Sequence, residues 1–358
     1  MPRLPQRQSL PSQTAEIITE MIKSGAISDT LPGERTLANQ LQIGRDTLRS
    51  ALDILESQTL ISARKHGKKR SILKQSLDLE ARRTRRIAFI SPKELRELPP
   101  TMLIEVDTLR ELLNSRGFEL ELLTPGIFHL QKPARQLEMI VKDRHFDTWI
   151  LYQCPLPVQQ WFQRMEIPSI IRGYASDGID IPSIDEDWHA SAFHAGGVLA
   201  RNGHHSVGLL MPDTKLAGLK AAEAGLRDAV EKSQVASKVH LMIDQVEQGS
   251  VHRALERAFN LESPPTAIVG TRSRHTLTVM SWLAQQSMSI PKDLSYISLA
   301  YEQWYAHLTP SITHYHSDPA AFARAVARKA MILAGRNKTR SNKLLMPDYT
   351  EGHSVSKR

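Results

Sequence analysis

From Ile87 onward the chain alternates short apolar runs with longer amphipathic stretches, and this pattern restricts the fold more than any other feature. The runs occupy 87–90, 119–123, 148–152, 169–171, 206–211, 239–243, 267–269 and 296–299, with helical patterns between most of them. Short apolar runs separated by amphipathic stretches predict strands joined through helices, and so parallel sheets in α/β layers. A chain of 358 residues is too long for one ordinary core and suits two domains. Its 41% hydrophobic and 23% charged residues fit a globular protein. No apolar stretch approaches the roughly 20 residues that cross a bilayer. The start, MPRLPQRQSLPSQ, has no apolar signal core. A cytoplasmic location without a membrane partner is therefore expected. The single cysteine, Cys154, sits in an apolar run and reads as a packing residue in a reduced compartment.

Charge is unevenly distributed. The net charge is +8, yet residues 1–86 hold 16 Lys/Arg against 9 Asp/Glu, so the rest of the chain is nearly neutral. One domain is thus expected to meet a polyanion and the other not. A basic surface alone does not establish this; the N-terminal pattern adds to it. Ser12 opens a helix with Ile17, Ile18, Met21 and Ile22 on one face, closed by Gly25. After Leu31-Pro32-Gly33, a short second helix over 34–41 places Leu37, Ala38 and Leu41 on one side. The turn Gln42-Ile43-Gly44 leads to a third helix over 45–57, where Leu48, Leu52 and Leu55 form the buried stripe and Arg45 and Arg49 lie one turn apart elsewhere. Residues 60–63 and 70–73 read as a hairpin around a 65–68 turn, its tip carrying Arg64, Lys65, Lys68, Lys69 and Arg70. Two short helices, a turn, a third helix with exposed arginines and a basic hairpin fit a winged helix-turn-helix on duplex DNA. Thr47 adds a hydroxyl able to reach phosphate or a thymine methyl. The plain alternative is a three-helix piece that only packs or dimerises.

The segment LPGERTLANQLQIGRDTLRSALDILESQTLI resembles the signature of GntR-family repressors over its whole length. The resemblance implies that Arg35, Arg45, Thr47, Arg49 and the wing residues His66, Gly67, Lys68 and Lys69 contact DNA. Two departures stand out: the family serine before the helix-three arginine is Gly44, which removes a side-chain cap, and the wing's common second glycine is Lys69.

Further on, NGHHSVGLL from Asn202, KLAGLKAA from Lys215, PPTAIVGTRSRHTLTVMSWLAQQSMSIPKDLSYISLAY from Pro264 and LTPSITHYHSDPAAFARAVARKAMILAG from Leu308 resemble LacI/GalR-type regulators and periplasmic sugar-binding proteins in order and spacing. The fold class implied is α/β: an N-terminal winged helix-turn-helix at 8–75, a linker at 76–86, and a two-lobed periplasmic-binding-protein-like domain at 87–355. The resemblance further implies a ligand cleft between lobes, with chain crossings near Gly203, His314 and Asn337. It also implies a homodimer whose operator, an inverted repeat, is released or gripped according to the ligand. The ligand residues carried over are Lys215, Arg272, Ser273, Tyr301 and Asp187. Here the sequence leaves the sugar-binding pattern: Lys215 replaces an arginine, Arg272-Ser273 replaces Asn-Asp, Ala300 stands where an Asp is expected, and Glu186-Asp187 replaces Asp-Asn before Trp188. Losing an Asp and an Asn removes groups that read sugar hydroxyls, while Lys215 and Arg272 leave cationic donors. The small-molecule effector is thus expected to be an anion or a sugar derivative. Two alternatives stay open: these cations pair with Glu186 or Asp187, and the domain has lost its ligand and only dimerises.

The pairs His204-His205 and His314/His316 lack a zinc spacing. No nucleophile elbow or glycine-rich phosphate loop is present. Neither a cofactor, a metal nor an enzymatic activity is therefore expected. An all-helical metal-binding effector domain, found in other GntR-type regulators, conflicts with the recurrent strands. Trp149, Trp161 and Trp282 read as core, and Trp188 and Trp304 as cleft-edge residues.

Overall fold

A computed structural model describes residues 9–23, 26–27, 30–58, 60–62, 69–73, 85–233, 238–245, 247–335, 337 and 341–358. The chain divides into two compact units, Met1–Thr84 and Arg85–Arg358.

In the first unit, helices α1 (Leu10–Lys23), α2 (Glu34–Gln40) and α3 (Arg45–Ser57) surround one apolar core. On α1 the buried face is Ala15, Ile18 and Ile22, with Met21 at its edge; Ile17 is 47% exposed, one position off the expected stripe. Gly25 lies outside the described residues. Leu48, Leu52 and Leu55 recur every three or four residues on α3 and, with Ala51, are buried in one cluster with Leu37 and Ala38. Each such leucine stabilises the fold by about 1.5–3 kcal/mol. The turn between α2 and α3 places Gln42 at φ 53°, a left-handed conformation that reverses the chain within a few residues. Behind α3, Ser62 N donates to Ser71 O and Leu73 N to Leu60 O, and Ile61 bridges Ile72 antiparallel. These bonds are the stem of the hairpin. The tip residues Arg64, Lys65, His66, Gly67 and Lys68 lie outside the described residues. Arg70 is not a tip cation: it is 9% exposed and donates to Glu56 at 2.7 Å, with Asp53 at 3.9 Å, so it ties the hairpin to α3.

The described residues of the second unit form two six-stranded sheets. The first runs in the order β2 (Phe118–Leu123), β1 (Arg85–Ile90), β3 (Thr148–Tyr152), β4 (Ser169–Arg172), β5 (Ser183–Glu186), β11 (Lys343–Leu345), all parallel. Helices α4 (Pro100–Asn114) and α11 (Pro319–Ala334) cover one face, α5 (Ala134–Asp143) and α6 (Leu156–Arg164) the other. The second sheet runs β7 (Lys238–Asp244), β6 (Ser206–Pro212), β8 (Ala267–Gly270), β9 (Ser295–Ser298), β10 (Thr313–His316), with β12 (Asp348–Thr350) antiparallel at the edge. Helices α9 (Ser250–Phe259) and α10 (Ser273–Gln285) pack on one face, α7 (Trp188–Arg201) and α8 (Ala217–Lys232) on the other. Central strands such as TWILY of β3 and AIVG of β8 are buried along their whole length, as parallel strands covered on both faces must be. Helices α7 and α8 approach until a Cβ on Gly225 would lie 2.1 Å from the His189 carbonyl. Trp149, Trp161 and Trp282 are core residues.

Among the described residues the chain passes between the lobes at 187, at 317–318 and at 346–347. The second crossing lies close to the expected His314. The first and third correct the positions near Gly203 and Asn337. Helix α7 already packs in the second lobe, so the crossing precedes it; β11 still pairs in the first, so the crossing follows it.

Candidate functional site

Two surfaces carry the candidate residues, one in each unit. In the first unit Arg35 on α2 and Arg45 and Arg49 on α3 are exposed, Thr47 is half-buried and Lys69 is exposed on the returning arm of the hairpin. Gly44, the residue before α3, provides no side-chain cap. Arg49 is held: its Nε lies 3.1 Å from Glu34 on α2 and its Nη1 3.6 Å from Asp46. Such exposed pairs add little stability, but they orient a long side chain. The structure thus brings Arg45, Thr47 and Arg49 onto the first two turns of one helix, with Arg35 on its neighbour; His66, Gly67 and Lys68 fall outside the described residues.

In the second unit a cavity of about 210 Å³ opens between the two lobes, at the carboxyl ends of the strands of both sheets. Parallel α/β sheets place their ligands there because the helices that follow aim their amino ends into the same crevice. Lys215, Arg272, Ser273 and Tyr301 all line it. Asp187 does not: it accepts from the Ala190 amide at 2.9 Å and caps α7. Trp188, the next residue, is in the wall; Trp304 is not, and packs edge-on against Tyr305 with ring centroids 4.6 Å apart. A Cβ on Gly218 would come within 3.1 Å of the Trp188 ring and 3.4 Å of the Tyr174 ring, so a glycine there lets both aromatics lie over the start of α8. Tyr301 stacks on His314 at 5.0 Å and meets His316 edge-on at 4.6 Å.

The cavity's charges are arranged in two groups. On the second-lobe side Lys215 precedes α8, Arg272 precedes α10 and Ser273 opens α10. Among the described residues no carboxylate lies within ion-pair distance of either cation, so the expected alternative of pairing with Glu186 or Asp187 is not what the fold builds. Burial pulls Arg272 below its ordinary pKa, because its guanidinium is desolvated without a matching anion in contact. On the first-lobe side Arg172, at the end of β4, donates through Nε and Nη2 to Glu105 at 2.8 and 3.0 Å and through Nη1 to Asp185 at 2.8 Å. It also lies 4.1 Å from the Phe322 ring centre. Burial alone would lower the pKa of Arg172, but Glu105 and Asp185 outweigh it and hold the guanidinium charged. Glu186 has no such contact; burial and the neighbouring Asp185 push it up to about 7, against Arg172.

Glu105, Tyr152, Arg172 and Tyr174 were not anticipated as cavity residues. Glu105 left a trace, since it interrupts the apolar stripe Met102, Val106, Leu109 of α4 at a buried position. His204, outside this wall, is structural: it bonds Thr266 Oγ1 and the Ser356 carbonyl, each at 3.0 Å. Among the described residues no group of three or more His, Cys, Asp or Glu is placed to hold a metal, and no helix is long and apolar enough to cross a membrane.

Comparison with known proteins agrees with this division. Residues 10–68 match the family described as bacterial regulatory proteins, gntR family. Residues 197–355 match the periplasmic binding protein-like domain. The chain is 22% identical over 191 residues to the HTH-type transcriptional repressor PurR of Aliivibrio salmonicida (strain LFI1238), covering 52% of this chain and 57% of the relative. The chain therefore matches little more than half the length of that relative. Among solved structures, a LacI transcriptional regulator of Bacillus cereus subsp. cytotoxis NVH 391-98 superposes with a TM-score of 0.69 at 18% identity, covering 77% of this chain and 99% of that one. A LacI family regulator of Bifidobacterium animalis subsp. lactis DSM 10140 gives 0.66 at 18%, with 77% and 99% coverage. One of Enterococcus faecium, solved with bound ribose, gives 0.62 at 16%, with 76% and 99% coverage. The chain carries a helix-turn-helix domain of the gntR family of bacterial regulatory proteins, followed by a periplasmic-binding-protein-like domain with the fold of LacI-family regulators.

Proposed function

We propose that the chain is a cytoplasmic transcriptional repressor that binds an inverted-repeat operator as a homodimer and is controlled by an anionic small molecule held between the two lobes. In this reading residues 8–75 bind DNA, 76–86 connect, and 87–355 sense the ligand and dimerise. Arg45, Arg49 and Arg35 reach base edges and phosphates, Thr47 steadies the first turn of α3 on the backbone, and the wing supplies Lys69 together with His66, Gly67 and Lys68. The observation that carries the sensing half is Arg272, a desolvated guanidinium at the head of α10 with no carboxylate in contact among the described residues, in the wall of a cavity that Lys215 also lines. A buried charge of this kind is stable when a ligand completes it. Ligand binding at the crevice then shifts the balance between open and closed lobes, and with it the spacing of the paired recognition helices.

The test is an anisotropy titration of the full chain on an inverted-repeat duplex selected from a random pool. Arg45→Ala and Arg49→Ala are each expected to weaken specific binding by about 1–3 kcal/mol, roughly 5- to 150-fold. Full affinity in both variants would overturn the DNA-binding assignment of α3.

A further inference from the structure

The cavity carries unmatched groups of both charge types, basic on one side and acidic on the other, and this restricts its ligand more than either side alone. On one side Arg272 and Lys215 have no carboxylate partner among the described residues. On the other, Arg172 is hydrogen-bonded to Glu105 and Asp185, and Glu186 faces the crevice with no basic group within ion-pair distance among the described residues. A simple anion would match the first side and leave the second unmatched. A neutral sugar would match neither.

The acidic side also has unused hydrogen-bonding capacity. The buried hydroxyls of Tyr174 and Ser317, both in the cavity wall, are held only by irregular contacts, Ser317 to the Glu186 carboxylate and Tyr174 to the Trp188 and His189 amides. Buried polar atoms in a native fold almost always have well-formed partners, so loosely satisfied hydroxyls beside a carboxylate leave room for a further donor. An alkylammonium brings three N–H donors and a positive charge. Tyr174 and Trp188, which share the space over Gly218, add aromatic rings of the kind that attract cations. At about 210 Å³ the space is below the roughly 300–1,000 Å³ of sites for drug-sized molecules, so the ligand is small.

We propose, resting on the sensing role given above, that the effector is a small zwitterion whose anionic group docks on Arg272 and Lys215 and whose protonated amine docks on Glu186 beside Asp185. Amino acids and amine-bearing phosphates are the chemical class. The ammonium would also restore Glu186 to its charged form, which burial otherwise disfavours.

The test uses thermal shift and titration calorimetry on the full chain with matched pairs of probes. The amine-bearing members are the α-amino acids, phosphoethanolamine and glucosamine 6-phosphate. Their counterparts are the N-acetyl amino acids, ethyl phosphate and glucose 6-phosphate. At least one amine-bearing probe is expected to bind roughly tenfold or more tightly than its counterpart. Glu186→Gln should bring that ratio close to one, while Arg272→Gln weakens both members of the pair. Equal binding by amine-free anions would overturn the zwitterion and leave the anion-sensing role intact. Preference for neutral sugars, or silence across the panel, would overturn both. A folded Glu186→Gln variant that keeps the full ratio would remove Glu186 as the docking group. The wild-type ratio decides the ligand class even where a variant fails to fold.

Discussion

Glu186 lies beside a guanidinium that is hydrogen-bonded to two other carboxylates, and its pH behaviour follows from that. Its folded-state pKa of about 7 stands above the ordinary 4.5, because burial and Asp185 disfavour the anion more than Arg172 favours it. The folded chain therefore holds this proton more tightly than the unfolded chain. The resulting stability is complete below pH 4.5 and is lost as pH rises to 7. In Glu186→Gln that loss disappears. In urea denaturation the variant should match wild type near pH 4.5 and exceed it by on the order of 3 kcal/mol at pH 8. A constant difference between the two across pH would contradict the burial of this carboxylate. Little of this was legible beforehand: Arg272, Lys215, Ser273 and Tyr301 could be placed by their position in matched segments, but Arg172 and Glu105 meet from β4 and α4, 67 residues apart, and no local pattern joins them.

Helix α7 shows what a single cap does at a crossing. Asp187 is the residue at which the chain leaves the first lobe, and its carboxylate takes the Ala190 amide that would otherwise have no partner at the helix start. Asp187→Ala should cost about 1 kcal/mol in chemical denaturation, and Asp187→Ser should recover most of it. A binding role would show instead as lost ligand affinity at unchanged stability. At this scale the sequence was a good guide where strands are long and wholly apolar, as in β3 and β8, and where the α3 leucines repeat. It was a poor guide to β5, β10, β11 and β12, which have three or four residues and carry sequences such as SIDE, THYH and DYT. Those strands present polar side chains to the cavity or lie at sheet edges, so hydrophobic alternation is weak. The misplaced crossings near Gly203 and Asn337 follow directly, since a crossing is located only when the strands on either side of it are known.

Across the whole molecule the excess positive charge belongs to the first unit and its connection, while the remainder is nearly neutral. Operator affinity should therefore fall steeply with salt, with a log–log slope of about −0.9 for each phosphate contacted. Effector affinity should respond far less, because its charges meet in a partly enclosed crevice where screening is weak. A flat salt dependence of operator binding would argue against a phosphate grip by the N-terminal cations. The way the chain passes back and forth between lobes bears on how the protein is made. Strands β1 to β5 leave the ribosome before any of the second sheet, yet β11 and helix α11, which shares one face of their sheet with α4 and supplies the Phe322 ring under Arg172, come after the entire second sheet except β12. The first lobe must therefore wait with one face covered by α4 alone until nearly all the chain has been translated, while the second lobe assembles, and nascent-chain protease protection should appear there last.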